Sequence, residues 1–98
     1  MTDPLLERLR ALSELEEGPS QWTGGSAFWL DGREIVHLHE PDLLEIRLTR
    51  KLIPRALDDE RVTQRSRYSD WIVLRRAEVE LAVELTWQAV EANRAATR

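Results

Sequence analysis

The amino-acid sequence predicts an α+β domain in which an N-terminal and a C-terminal helix pack on one face of a four-stranded, mainly antiparallel sheet. Three observations predict it: leucines at helical spacing near the amino terminus, four short strand-like runs bounded by turn residues, and a closing stretch, residues 76–95, without Gly or Pro. The chain has 98 residues, of which 42% are hydrophobic. We therefore expect residues 1–98 to form a single domain with one modest core.

The first helix is predicted to begin at Asp3–Pro4. Aspartate caps helix N-termini, and proline is tolerated at the first helical position because its missing N–H would have no partner there. Gly18–Pro19 is expected to end the helix, and residues 18–25 are expected to form a loop. The leucines expected to pack on the sheet are Leu5, Leu6, Leu9 and Leu12, with Leu15 near the stripe.

Four strand-like runs follow, and turn residues separate them. Asp31–Gly32 lies between two such runs, which is a strong hairpin signal, and Glu40–Pro41–Asp42 supplies the next turn. The segment 50–69 is polar and interrupted by Pro54, so we expect it to contain one short helix. The four expected strands are residues 26–30, 33–39, 43–49 and 71–74.

The closing helix is predicted to have a wide apolar arc and an opposite acidic stripe. An arc of this width indicates a helix that is buried across the sheet and beside the first helix. The acidic stripe is expected to face solvent. The arc contains Val79, Leu81, Ala82, Val83, Leu85, Ala89 and Val90, and the stripe contains Glu80, Glu84, Gln88 and Glu91.

His37 and His39 are two residues apart on one expected strand, so their rings project from the same face of the sheet. Which face this is depends on the hairpin loops, because a one-residue shift turns a strand over. With two-residue loops, Ile35 and both histidines face the helices. With three-residue loops and a bulge, Val36 and Leu38 do so instead. We expect the second register, because it avoids burying two imidazoles without evident partners. In either case the helices cover Phe28, Leu30, Leu44, Ile46 and Leu48.

The expected register leaves an open second face, on which tryptophans lie among ionisable groups. Such a surface is typical of a site for a small ligand or a partner subunit, unless the long segment before the last strand covers it. The candidate ligand-binding residues on this face are Trp29, His37, His39, Glu45, Arg47 and Trp71, with Ile35 and Val73 beside them. Arg33 and Glu34, at the start of the strand that carries the histidines, complete the candidate set. Self-association, as a homodimer, would use the same area.

Catalytic and metal chemistry is the first alternative. His37 and His39 could present two imidazoles to a divalent metal ion, with Glu45 as a third ligand, in a metal-binding protein or a metal-dependent enzyme. A Ser-His-Asp set can be assembled from Ser26 or Ser69 with His37 and Asp70, but no nucleophile elbow accompanies it. No dinucleotide, flavin or phosphate-loop fingerprint is present, so the sequence predicts no cofactor.

Charge is distributed in blocks, which gives the second alternative. Residues 1–46 hold three basic and ten acidic residues, residues 47–76 nine and four, and residues 77–98 two and four. The middle block, which includes Arg65 and Arg67, could bind an anion or a nucleic acid. We instead expect oppositely charged segments to lie side by side in the fold. Nucleic acid is not an expected partner, because the isoelectric point is about 5.2.

A cytoplasmic location is expected from three sequence features. The chain contains no cysteine, so it has neither disulfides nor thiolate metal sites. Its first ten residues do not resemble a signal peptide. No apolar stretch approaches the roughly 20 residues that a membrane span requires, so no membrane partner is expected.

The order of motifs resembles the small luciferase domain family. The resemblance spans residues 20–92, and its most specific part is the pattern G-R-E-x-x-H-x-H, from Gly32 to His39, followed by S-x-W at Ser69–Trp71. It implies a small α+β domain of a kind found largely in bacterial proteins without an established activity. The motif positions carried over are Arg33, Glu34, His37, His39 and Trp71. The resemblance does not by itself transfer a light-producing reaction to this chain.

Overall fold

The computed structural model describes residues 3–96. Six antiparallel strands form one sheet, and the α+β class predicted from the sequence is confirmed. The elements are α1 (Pro4–Arg10), β1 (Glu16–Pro19), β2 (Ser26–Leu30), β3 (Arg33–His39), β4 (Leu43–Arg47), α2 (Ile53–Ala56), β5 (Thr63–Gln64), β6 (Trp71–Arg75) and α3 (Val79–Ala96). The strands are ordered β1-β2-β3-β4-β6-β5.

The prediction of four strands is wrong, because one further strand lies at each edge of the sheet. On one side, β1 pairs with β2 from Glu16–Trp29 to Pro19–Ser26. On the other side, the two-residue strand β5 pairs with β6. Both added strands are short and polar, and β1 carries a proline, which is typical of edge strands. Neither shows the apolar alternation by which a strand is recognised in a sequence.

The first helix is shorter than expected, because it ends at Arg10 rather than at Gly18–Pro19. Beyond it the N–H of Leu12 donates to the carbonyl of Leu9, and the N–H of Leu15 donates to the carbonyl of Leu12. These tight turns repeat every three residues and keep both leucines packed against the core. The same spacing fits a helix, which explains why the leucine pattern overstates its length.

The core lies between the sheet and the helices on one of its faces. Leu5 and Leu9 of α1 and Ile53 of α2 are buried against the central strands. Asp3 caps α1 as predicted, since its carboxylate accepts a hydrogen bond from the N–H of Leu5 at 2.9 Å. The strand residues in the same cluster are Phe28, Leu30, Ile35, Val36, Leu38, Leu44, Ile46, Leu48, Ile72 and Leu74.

The closing helix α3 crosses the middle strands with the faces that the sequence predicts. Leu85 is buried and Leu81 is half-buried against the core, while Glu80, Glu84 and Glu91 of the acidic stripe are exposed. Its remaining buried residues are Ala82, Thr86, Ala89, Val90 and Asn93. Within residues 3–96, no helix has the length and apolar character needed to cross a membrane.

As expected, Val36 and Leu38 face the helices and His37 lies on the opposite face of the sheet. The hairpin that produces this register differs from the expected one. The Asp31–Gly32 loop has two residues, both with positive φ (50° and 81°), as a type I′ turn requires. The bulge lies instead within β3, where Phe28 pairs with Val36 and Trp29 with Glu34, which leaves Ile35 unpaired. Ile35 is therefore buried in the core, and its predicted place on the second face is wrong.

Candidate functional site

The sheet face away from the helices, which we call the histidine face, has His37 at its centre. His37 pairs with Ala27 on one side and with Glu45 on the other, and Glu45 in turn pairs with Val73. Residues paired directly across antiparallel strands project to the same face. The imidazole of His37 is 0% exposed. The histidine face is thus partly a polar core rather than an open surface.

Two carboxylates hold the buried imidazole. The Nδ1 atom of His37 lies 2.9 Å from Oε2 of Glu34, and its Nε2 atom lies 2.7 Å from Oε1 of Glu45. Each contact needs one proton between nitrogen and oxygen, so the three side chains hold two protons and keep one net negative charge. The Nε atom of Arg65, 3.6 Å from Oε1 of Glu45, partly balances that charge. We call these three side chains the Glu–His–Glu triad.

The triad also anchors residues 20–25, the loop between β1 and β2. The hydroxyl of Ser20 donates to Oε2 of Glu34 at 2.7 Å, and the N–H of Gln21 donates to Oε1 at 2.9 Å. The same hydroxyl accepts hydrogen bonds from the N–H groups of Trp22 and Thr23, both at 3.1 Å. Ser20 is buried, so its hydroxyl fixes the loop to the sheet where water cannot replace these bonds.

Aromatic rings cover the imidazole. Trp71 lies tilted over His37 with 4.6 Å between ring centroids, and Trp22 meets it edge-on at 6.0 Å. Trp71 is 4% exposed, and its backbone N–H donates to the hydroxyl of Ser69, which gives the S-x-W pattern a physical role. The guanidinium of Arg47 lies over both tryptophan rings, 5.5 Å from the centroid of Trp22 and 5.0 Å from that of Trp71.

The structure thus brings together Glu34, His37, Glu45, Arg47 and Trp71 of the predicted site. Trp29 packs over Gly18 of β1 instead, and among the described residues the aromatic rings against His37 are those of Trp22 and Trp71. His39 is exposed at the edge of the site, with Nδ1 3.1 Å from the carbonyl of Glu40.

Sequence reasoning did not place Ser20, Trp22 or Arg65 at this site, and it named Arg65 only as part of the basic block that could bind an anion. The signal for the first two is the order Pro-Ser-Gln-Trp-Thr-Gly-Gly, in which a serine precedes two N–H groups that it can cap and glycines then let the chain reverse. Arg65 precedes the turn between β5 and β6, and it is placed only by the pairing of those strands.

A cavity of about 460 Å³ opens beside the covered triad. Its walls come from residues 22–26, from the end of β3 and from Arg65. The indole of Trp22 forms one wall and is 50% exposed. His39 and Arg65 line the same space and bring an imidazole and a guanidinium to it, while the carboxylate of Glu40, also a lining residue, pairs with Arg76. An aromatic wall with a few convergent polar groups is the composition usual in small-molecule sites.

A metal ion does not fit the residues that the sequence proposed as ligands. Both ring nitrogens of His37 lie at hydrogen-bonding distance from carboxylate oxygens, and His39 is exposed at the strand end. Among residues 3–96, no group of three or more His, Asp or Glu side chains is placed to hold a metal ion. The geometry therefore gives no support to the metal-dependent alternative.

Ion pairs occupy much of the basic segment 47–76. Three of the pairs, those of Arg65, Arg75 and Arg76, join it to the acidic block 1–46, as expected when oppositely charged segments lie side by side. The pairing leaves fewer free cations for a nucleic-acid backbone. Arg47, Arg61, Arg65, Arg75 and Arg76 pair with Asp70, Asp59, Glu45, Asp42 and Glu40, respectively. The nucleic-acid alternative has no support in this arrangement.

Replacing Ser20 by alanine is expected to destabilise the protein by about 1–3 kcal/mol, because it removes a buried donor to Glu34 and the acceptor for two N–H groups. Hydrogen exchange of the Trp22 and Thr23 amides should accelerate more than exchange in β3 or β4. Ser66→Ala, at an exposed position, is the matched control. Unchanged exchange at both amides in the Ser20 variant would contradict the anchoring role.

Comparison with known protein families gives one match. The model of the Luciferase domain family matches residues 32–93. This range contains the triad, Arg65 and Trp71, whereas Ser20 and Trp22 precede it. No curated protein and no solved structure gives a significant match.

Proposed function

This chain belongs to the Luciferase domain family, and from the geometry of its histidine face we propose that it is a binding domain for a small molecule. The observation that carries the proposal is the cavity of about 460 Å³ between Trp22 and Arg65. Its volume is within the range usual for small-ligand pockets, roughly 300–1,000 Å³. The proposal assigns binding and no reaction, because the imidazole of His37 has no exposed surface with which to reach a substrate.

The polar groups of the cavity indicate the kind of ligand. Trp22 is 50% exposed and lines the cavity, so a planar ring can pack against its indole. The Arg65 side chain is 45% exposed, and its ion pair with Glu45, 3.6 Å at Nε, is too long for a hydrogen bond, so the paired guanidinium can still donate to a ligand. His39 can donate or accept beside it. A planar molecule with one or two hydrogen-bonding groups fits this set best.

The Glu–His–Glu triad has a supporting role in this proposal. None of its three side chains lines the cavity. Through Ser20, however, the triad holds the loop that carries Trp22. A loop fixed at its base presents the indole in one position, which lowers the entropic cost of binding. The buried polar network therefore pre-organises the wall against which the ligand packs.

A fragment screen observed on the protein tests the proposal. A library of small aromatic amides and acids is added to ¹⁵N-labelled protein, and amide and indole resonances are followed by NMR. We expect hits to shift the Trp22 indole and the Gly25 amide. Arg65→Gln and His39→Ala should each weaken the binding of these hits. Arg55→Gln, which makes the same charge change as Arg65→Gln at an exposed position of α2, should not.

A larger groove provides the internal comparison for this screen. It measures about 780 Å³ and lies between α3 and the segment that follows β4, and Leu52 and Trp87 are among the residues that line it. Hits that shift only the Trp87 indole, or hits whose affinity is the same in all three variants, would contradict the proposed site.

A further inference from the structure

The groove beside Trp87 has walls that are largely apolar. It measures about 780 Å³ and lies between α3 and the turn that follows β4. Leu52 packs against the core from one side, and the indole of Trp87, which is 43% exposed, lines the other. A concave apolar surface with a half-exposed tryptophan is typical of a binding site rather than of ordinary solvated surface.

Three polar side chains line the same groove without a partner. The hydroxyl of Thr49, the ammonium of Lys51 and the amide of Gln88 form no hydrogen bond or ion pair with any residue that the structure describes. Their donors and acceptors are therefore free to contact a ligand. Small-molecule sites use a few polar groups of this kind, set among apolar walls, to fix the orientation of the ligand.

The backbone of Thr49 is held in a strained conformation at this groove. Its φ angle is 81°, in the left-handed region that a β-branched residue rarely adopts. The N–H groups of Leu48 and Thr49 both donate to the carbonyl of Asp70, at 2.9 and 3.3 Å. The buried Asn93 of α3 donates to the carbonyl of Arg47 at 2.8 Å. These bonds fix the chain from both sides, and strain that is held in this way is concentrated at functional sites.

The charges at the groove favour an anion with a single negative charge. Of the lining residues, Lys51 alone is basic, and Glu91, the one acid, is already paired with Arg94 at 3.5 Å. The neighbouring Arg50 does not line the groove, and its guanidinium lies 5.9 Å from the centroid of the Tyr68 ring. One unpaired ammonium matches a carboxylate better than a phosphate monoester, which carries nearly two charges at neutral pH.

The length of the groove favours a small molecule over a partner helix. Its lining residues on α3 run from Trp87 to Ala92, a rise of about 7.5 Å along the helix. An amphipathic helix that docks in a groove is anchored by residues spaced over seven positions, which corresponds to about 10 Å. The groove is too short to hold such a set of anchors.

We propose that this groove binds a small amphiphilic carboxylate, with the apolar body of the ligand against Leu52 and Trp87 and its carboxylate at Lys51. The hydroxyl of Thr49 can donate a further hydrogen bond to the same carboxylate. The proposal goes beyond the cavity beside His39 and does not depend on it, because no residue lines both spaces.

The test titrates ¹⁵N-labelled protein with octanoate and, separately, with octylammonium, which has the same chain and the opposite charge. Sodium chloride keeps the ionic strength constant. We expect saturable shifts of the Trp87 indole and of the Leu52 and Ala92 amides, with octanoate bound about fivefold more tightly than octylammonium. The net charge of −4 would by itself favour the cation, so a preference for octanoate must come from the groove. Shifts of the Trp22 indole report separately on the proposed cavity.

Lys51→Gln is the decisive variant, because the Lys51 side chain has no partner to lose within the described chain. It should weaken octanoate binding about three- to fivefold and remove the preference over octylammonium. Arg50→Gln makes the same charge change one residue away, outside the groove, and should leave the affinity for octanoate intact.

Trp87→Ala removes an apolar wall, and it should abolish the octanoate-induced shifts of the Leu52 and Ala92 amides. Alanine favours a helix at least as well as tryptophan does, so α3 should remain folded. The proposal is wrong if octanoate fails to shift the Trp87 indole of the unmodified protein, or if it binds no more tightly than octylammonium. Equal weakening by Lys51→Gln and Arg50→Gln would also overturn it.

Discussion

Replacing His37 by alanine should lower the free energy of unfolding by about 3–5 kcal/mol, because removing one member of a buried charged set leaves the others uncompensated. The imidazole is fully buried, and each of its nitrogens contacts a carboxylate oxygen, of Glu34 at 2.9 Å and of Glu45 at 2.7 Å. Without it, two carboxylates remain in a site with little water. Urea denaturation followed by tryptophan fluorescence measures the change.

Two comparisons make that result specific to the triad. His39→Ala, at an exposed position on the same strand, should change stability by no more than about 0.5 kcal/mol. The combination Glu34→Gln, His37→Leu and Glu45→Leu removes all buried charge and keeps an acceptor for Ser20, so it should recover much of the loss. If the His37→Ala protein were as stable as the His39→Ala protein, the triad would not be the buried charged set described here.

Ile46→Ala is expected to cost about 2–5 kcal/mol, because a buried side chain is removed and the cavity that remains cannot fully collapse. Ile46 is 0% exposed on β4, where Val36 of β3 and Ile72 of β6 flank it. These three side chains lie beneath the helices at the middle of the sheet. Chemical denaturation should show a lower midpoint with an unchanged slope, since the surface exposed on unfolding stays nearly the same.

Leu57→Ala is the control for this second prediction, because Leu57 is 38% exposed just after α2. Its cost should remain below about 0.5 kcal/mol. An Ile46→Ala midpoint equal to that of the Leu57→Ala protein would overturn the assignment of residues 43–47 to the central strand under the helices.

The central strands and the closing helix could be predicted from local patterns because their apolar residues repeat with the period of the element. Leu44 and Ile46 alternate with Glu45 and Arg47, and Leu85 lies on the apolar arc of α3. The edge strands could not be found in this way. Glu16 and Thr63 are exposed, and their strands exist through pairing with a neighbour rather than through an apolar face of their own.

The bulge at Ile35 explains why the predicted face of His37 is correct although the predicted hairpin loop is not. The turn at Asp31–Gly32 has the two residues that its sequence favours, which by itself would direct His37 towards the helices. One unpaired residue within β3 restores the opposite face. The bulge buries Ile35 with Val36 and leaves His37 facing Glu45. Both effects depend on packing across three strands.

The charged residues of the candidate site and Trp71 of its aromatic cover were predicted, whereas Trp22, the other ring of that cover, was missed. Glu34, His37, Glu45 and Arg47 lie on strands, so their common surface follows from pairing. Trp22 lies on a loop, and its position follows from a hydrogen-bond network that begins at Ser20. Loop residues are placed by such tertiary contacts rather than by periodicity, and binding residues are often found on loops for that reason.

The crystal structure of the protein soaked with an aromatic fragment tests the central claim most directly, namely that the histidine face carries a small-molecule site. Our account predicts fragment density against the indole of Trp22, within hydrogen-bonding distance of Arg65 or His39, with Ser20 still bonded to Glu34. Density confined to the groove beside Trp87, with the space between Trp22 and Arg65 holding only solvent, would contradict it.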